Sequence, residues 1–279
     1  MVFCFVHDTI FVMDAVFFIV LFVLGLLIGS FLNVVILRYN TGQFFKKRSA
    51  CFSCNQTLDW HDLIPLFSFL LLRGKCKKCK SKISIQYPLV ELTTGLLFVL
   101  LGAKFFQLTL FDINSFVFAF VLYALVFCIL IVISVYDIKH KIIPDAFVYA
   151  FIFLGVLSTT LTFFPTTHFE FPVWADLLGG IVAASPFFLL WLISKGKWMG
   201  FGDVKLALGI GFFLGIEKSI IALLLSFWIG ALVGLILLWI NKKNVTIKSE
   251  IPFGPFLVIG FALVFFLNLD LYSILNAFL

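Results

Sequence analysis

Charge is scarce in this 279-residue chain: Asp, Glu, Lys and Arg together make up 12% of it. That excludes an ordinary soluble domain, because the remaining surface would have to be covered by apolar side chains in water. The complement is 63% hydrophobic residues, 39 of them Phe, with a mean hydropathy of +1.18. Such a chain faces lipid. Paired cysteines are also missing outside one region. Cys4 and Cys128 stand alone in apolar surroundings, so no disulfide framework is expected. The first 14 residues hold no Lys or Arg, the reverse of a secretory signal, and the first apolar run reads as an uncleaved anchor. Nor does the net charge of +6 mark a nucleic-acid binder. In a membrane protein, what matters is which side the cations occupy.

Apolar runs of spanning length lie near 15–37, 88–107, 115–136, 146–164, 175–194, 204–217, 219–240 and 254–275. The sixth is short and glycine-rich, and a re-entrant segment there is an open alternative. These runs predict an all-α polytopic membrane protein of about eight transmembrane helices. Three regions follow: an extracytoplasmic N-terminus and first transmembrane helix over 1–37, a polar four-cysteine loop over 38–87, and a membrane core over 88–279. Alternating loops put eighteen of the twenty cations on the side that carries the 38–87 loop, against Lys104 and Lys218 on the other. The positive-inside rule then makes the loop cytoplasmic and both termini extracytoplasmic.

Within the loop, Cys51-Phe-Ser-Cys54 and Cys76-Lys-Lys-Cys79 form two CxxC pairs whose spacing suits a four-thiolate zinc site. Lys77 and Lys78 would favour thiolates there. Four thiolates fill a tetrahedron and leave no open position for water, so zinc would staple a small domain, not catalyse. A pair of redox dithiols is the alternative.

Two carboxylates stand at ends of apolar runs on the same side. Asp137 closes the third span, and Asp203 ends Gly200-Phe-Gly-Asp203 just before the sixth. The two glycines remove side-chain bulk beside Asp203, as expected where an extended substrate backbone must come close. This GxG is no dinucleotide fingerprint, because position 205 is Lys and no strand precedes it. Brought together at a semi-dry edge, two such carboxyls can share one proton and work as the acid and base of an aspartyl protease. Which of them holds the proton is not legible in the sequence. Interfacial or capping roles are the bland alternative. For Asp145, which follows Pro144, the bland reading prevails: it should accept from the free amides at the next helix start.

These residues resemble the prepilin peptidases, or type IV leader peptidases, a family of intramembrane GxGD aspartyl proteases. The likeness runs through Gly29-Ser-Phe-Leu-Asn33 to Arg38, both CxxC pairs, Leu72-Arg-Gly-Lys-Cys76, and Ile83-Ser-Ile-Gln-Tyr-Pro88 with Glu91. It continues from Asp137 to Ile143-Pro-Asp145, through Gly200-Phe-Gly-Asp203-Val-Lys205, to Ile251-Pro-Phe-Gly-Pro255. Phe52 departs from the Pro common in the first CxxC, and Tyr39-Asn40 from Leu-Pro. The resemblance implies that Asp137 and Asp203 are the catalytic pair. It also implies a second activity, methylation of the new N-terminal amine with S-adenosylmethionine, for which Asn33, Arg38 and Glu91 are candidate donor-site residues. The implied partners are pilin-like or pseudopilin precursors and membrane lipid, with no nucleic acid, and the implied location is a bacterial inner membrane.

Overall fold

A backbone in hydrocarbon must satisfy its own amides, so long apolar runs fold as helices. The computed structural model describes residues 2–40, 49–51, 53–109, 112–163, 172–240 and 251–270. Along them run α1 (Val2–Arg38), α2 (Phe67–Leu71), α3 (Gln86–Thr109), α4 (Ile113–His140), α5 (Asp145–Phe163), α6 (Pro172–Ser194), α7 (Phe201–Ile240) and α8 (Gly254–Leu267). Among the described residues there is no strand, only isolated bridges between Ala50 and Thr57 and between Lys75 and Lys82. The protein is an all-α membrane protein. Ala15–Arg38, Gln86–Thr109, Ile113–His140 and Phe201–Ile240 are long and apolar enough to cross a bilayer; Asp145–Thr160, Leu178–Ser194 and Gly254–Leu267 are apolar but shorter. Lys46, Lys47, Arg48, Phe52, Lys242, Lys243, Lys248 and the expected span ends at 164 and 271–275 lie outside the described residues.

The 40-residue α7 is not one rod. Gly215 has φ 71° and ψ −175°, a backbone region that essentially only glycine enters. Contacts along α6 give the consequence. The Trp191 ring lies 5.0 Å from Phe201, and the Phe187 ring lies 5.6 Å from Phe227, so residues 201 and 227 meet α6 within one turn of each other. A straight helix would separate them by about 39 Å. Gly179, two turns further back on α6, packs against Gly211 and Gly215. The chain therefore reverses at Gly215, and the arms 201–214 and 216–240 run antiparallel. The expected sixth and seventh runs are these two arms.

The chain forms two compact units, Met1–Cys128 and Ile129–Leu279, divided within α4. In the first, α1 packs along α3, with the Phe17 ring 5.7 Å from Phe106 and 5.8 Å from Phe116. In the second, α5, α6 and α8 pack on α7. Phe151 of α5 stacks at 5.1 Å on Phe213 of α7 and meets Phe261 of α8 edge-on, and both Phe151 and Phe261 are buried. This aromatic wedge fixes three helices around the segment that carries Asp203.

Candidate active site and metal centre

Asp137 sits in the last turn of α4, where the helix stops for local reasons. Lys141 takes a left-handed φ of 55° and its amide donates to the Asp137 carbonyl at 2.7 Å. Pro144 then supplies no amide to continue, and α5 begins at Asp145. On the other side, α6 ends as Gly196, φ 76°, donates back to the Trp191 carbonyl at 3.0 Å. The chain re-enters helix at Phe201, and Asp203 lies in the first turn of α7, where a carboxylate complements the free amides.

Both carboxyls are buried, Asp137 at 4% and Asp203 at 8% exposure. The turn between α4 and α5 brings them together. A Cβ on Gly202 would stand 2.8 Å from the Ile143 Cβ, and one on Gly254 would stand 3.4 Å from the Ile143 Cδ1 and 2.7 Å from Asp137 Oδ2. Ile143 thus touches the starts of α7 and α8 at once, and the two carboxyls lie within electrostatic reach of each other. The Gly254 amide donates to Asp137 Oδ2 at 3.1 Å. Asp203 Oδ1 is buried and has no hydrogen-bond partner among the described residues.

The two glycines before Asp203 have different work. Gly202 is small because Ile143 packs on it, which the sequence reading assigned to substrate access. Gly200 is exposed, and a Cβ there would meet only Asp203 Oδ2 at 3.7 Å and the Gly202 amide at 3.9 Å, so open space adjoins this residue. Asp145 also departs from expectation. Its carboxylate accepts from Lys205 Nζ of α7 and makes no capping bond to an α5 amide. Lys205 in turn lies over the rings of Tyr149, at 5.1 Å, and Phe201, at 5.6 Å. The sequence reading gave no role to Gly254, Ile143 or Lys205. Their only signal was membership of the stretches around Pro144, Asp203 and Pro255.

In the first unit, the four sulfurs of Cys51, Cys54, Cys76 and Cys79 lie within 4.8 Å of one another. The two knuckles are built alike. The Cys51 carbonyl accepts from the Asn55 amide at 2.9 Å, and the Cys76 carbonyl from the Lys80 amide at 3.0 Å. Asn55 and Lys80 are both left-handed, with φ 54° and 59°. Cys51 and Cys76 each donate 2.9 Å to the carbonyl five residues on, Gln56 and Ser81. The Cys51 and Cys79 sulfurs are 3.8 Å apart, matching the edge of about 3.8 Å in a tetrahedron of sulfurs 2.3 Å from zinc. The donor set fits a metal ion.

The Cys54 and Ser53 amides, with the Ser81 hydroxyl, pull Cys51 down to about 6. At Cys54 the Gln56 amide pulls downward, but desolvation and the neighbouring thiols outweigh it and hold the group up at about 11. Cys79 is lowered by the Ser81 hydroxyl and amide. Thiolate character therefore comes from the knuckle backbone and Ser81. Lys78, expected to supply it, donates to Gln56 Oε1 at 3.1 Å.

The candidate methyl-donor residues lie in the same unit. Asn33 is buried, its amide nitrogen donating to the Tyr87 carbonyl at 3.1 Å, while its Oδ1 has no partner among the described residues. Glu91 is buried and accepts from the Leu66 amide at 2.8 Å. Gln86 Nε2, at the start of α3, is a second buried polar atom without a partner among the described residues. An unpaired acceptor and an unpaired donor suit a polar ligand such as S-adenosylmethionine. Arg38 is half-buried at the end of α1.

Residues 23–105 match the bacterial peptidase A24 N-terminal domain, and residues 124–235 match the type IV leader peptidase family. A prepilin leader peptidase/N-methyltransferase of Stutzerimonas stutzeri is 32% identical over 85% of this chain and 86% of its own. Those of Vibrio cholerae and Bacillus subtilis are 31% and 33% identical, covering 98% and 92% of their own lengths and 91% and 88% of this chain. No solved structure matches. With relatives of that similarity aligned over most of both chains, and with two buried aspartates within the stretch that the leader peptidase profile matches, the chain belongs to the type IV leader peptidase family.

Proposed function

We propose that this protein removes the leader of prepilin-like precursors with Asp137 and Asp203 and then methylates the amine it exposes. The observation that carries the reading is that both carboxyls are buried and that Ile143, in the turn after Asp137, packs on Gly202 beside Asp203 and on Gly254, whose amide donates to Asp137. Two carboxyls so placed can hold one proton between them. The ionised member takes a proton from water as the water oxygen attacks the scissile carbonyl. The protonated member donates to the developing oxyanion; as the tetrahedral intermediate collapses, the member that took the proton from water passes it to the leaving amine, and the other recovers its proton from the hydroxyl as the carbonyl re-forms. The open space at Gly200 is where the extended junction of the precursor comes close to Asp203. A precursor whose apolar helix lies in the same bilayer reaches the pair by two-dimensional diffusion with its orientation already set.

The four-cysteine cluster is assigned to one structural zinc, held by Cys51, Cys54, Cys76 and Cys79 within the 38–87 domain. S-adenosylmethionine supplies an electrophilic methyl group, and Asn33, Gln86 and Glu91 would hold it. The 38–87 domain is placed in the cytoplasm, both termini outside, and the 88–279 core in the inner membrane, on the strength of the cation asymmetry. The partners are pilin or pseudopilin precursors and lipid, with no nucleic acid.

The test is mass spectrometry of a purified candidate precursor incubated with the enzyme in detergent, with and without S-adenosylmethionine. Loss of the leader in both samples, and a further methyl increment only with the donor, are expected. An intact precursor in both would overturn the assignment.

A further inference from the structure

The segment 63–85 carries six cations, Arg73, Lys75, Lys77, Lys78, Lys80 and Lys82, and no acidic residue. All six are exposed. It begins with a row of apolar side chains that are mostly exposed: Phe67 is 57% exposed, Leu70 71% and Leu71 68%. A polar loop domain standing in water has no reason to present such a row on a short helix.

The depth of this helix explains it. The residue preceding α2, Leu66, has φ 57°, a backbone that non-glycine residues avoid, and its amide donates to Glu91 Oε2. Glu91 lies five residues into α3, so the bond draws α2 about 8 Å along α3 from its start at Gln86. At that level α3 already exposes Leu89 and Leu92, as a spanning helix does where lipid surrounds it. A depth of about 5–10 Å is that of an amphipathic segment lying in the headgroup region.

We propose that residues 63–82 form an interfacial foot: α2 inserts Phe67, Leu70 and Leu71 into the acyl boundary, and the cations that follow bind anionic lipid headgroups. Charge complementarity selects the occupant. An apolar helix of another protein would satisfy the leucines and leave six cations unanswered, whereas an anionic leaflet answers both. The Glu91 bond to Leu66 anchors the foot to α3.

The test uses the full-length protein in nanodiscs with no precursor present, carrying a photo-crosslinking benzoylphenylalanine at Leu70, or at the lipid-facing control position Leu96 of α3. Lipid adducts are read by mass spectrometry in phosphatidylglycerol and in phosphatidylcholine. Adducts are expected at both positions, with a several-fold higher yield at Leu70 in phosphatidylglycerol. Combined Arg73→Gln, Lys75→Gln and Lys82→Gln changes, with metal content retained, are expected to remove that difference. No lipid adduct at Leu70 while Leu96 reacts, equal yields in the two lipids, or adducts only to a second copy of the chain would each overturn the proposal.

Discussion

The amide of Gly254 donates to a carboxylate oxygen of Asp137 across 117 residues of sequence, and the same glycine has no room for a methyl group, which would stand 2.7 Å from that oxygen. Backbone and missing side chain thus act on one atom. Gly254→Ala is expected to push the Asp137 carboxyl out of place and lower kcat for leader cleavage by ten-fold or more, with KM and expression little changed. A parallel measurement of methyl transfer to pre-cleaved precursor, which does not use the pair, separates this from misfolding. Equal loss of both activities would refute a local effect.

Asp137→Asn and Asp203→Asn should each nearly abolish cleavage, and the double variant should be scarcely worse. Neither carboxyl alone can both activate water and donate a proton, and residues acting as one unit are non-additive. Rate measurements on the three purified proteins decide it. Substantial cleavage by the Asp203→Asn protein at normal expression and metal content would defeat the aspartyl mechanism.

The ion pair of Lys205 and Asp145 is unequal in its two halves, since Asp145 is 63% exposed and Lys205 13%. An exposed carboxylate contributes about 0–1 kcal/mol through such a pair. Lys205 also has the faces of Tyr149 and Phe201, worth about 0.5–2 kcal/mol more when shielded from water. Lys205→Gln should therefore reduce thermal stability and cleavage more than Asp145→Asn, which should retain much of its activity. Comparable losses in the two variants would show that the pair, and not the aromatic seat, carries the effect.

Purified protein should hold one zinc, measured by elemental analysis. Cys51→Ser and Cys76→Ser should lower the metal content to a small fraction and make the 49–83 region protease-sensitive. Because the two knuckles share one metal, removing either should loosen both. Absence of metal from protein with four reduced thiols would revive the redox reading.

Asp112 caps α4, accepting from the Ser115 hydroxyl at 2.6 Å and from the amides of Asn114 and Ser115 at 3.1 and 3.0 Å. The Ser115 hydroxyl first, then these amides, hold its carboxyl below the usual range. A depressed value in the folded state means that its contribution is complete above the ordinary carboxylate pKa of about 3.9 and fades as pH falls through the lower folded value. Exchange protection of the first α4 amides, corrected for intrinsic rate, should drop between pH 5 and pH 2. In Asp112→Asn the drop should vanish.

Much of this was legible because hydropathy and ligand spacing are local properties. Seven of the apolar runs coincide with helices or helix arms, the eighth is helical only from Gly254 to Leu267, where Asn268 turns left-handed, and the two CxxC pairs converge as their spacing implies. What was hidden depends on distant backbone. Gly254 looked like a helix-start residue beside Pro255, and nothing in the sequence shows that its amide points at α4. Asp145 after Pro144 reads as a cap, and only the packing of α5 on α7 brings Lys205 within reach of it. Gly202 and Gly200 look equivalent in Gly200-Phe-Gly-Asp203, yet Ile143 occupies the space beside the first and leaves that beside the second open. Apolar residues from Leu63 to Leu72 were absorbed into a polar loop because the run is too short to span.

The reversal at Gly215 governs parity. Each pass of the chain exchanges the end of the unit at which the next segment emerges, so the count of passes between Asp203 and Gly254 must be even for the two to meet. Taken as one unbroken helix, Phe201–Ile240 would make a single pass and deliver Gly254 to the far end, remote from Asp137. A single residue with a backbone that side chains forbid restores the even count, although it touches neither aspartate. Insertions or deletions that leave the turn intact alter only arm length, whereas a substitution that straightens it disconnects the two halves of the carboxyl pair's surroundings.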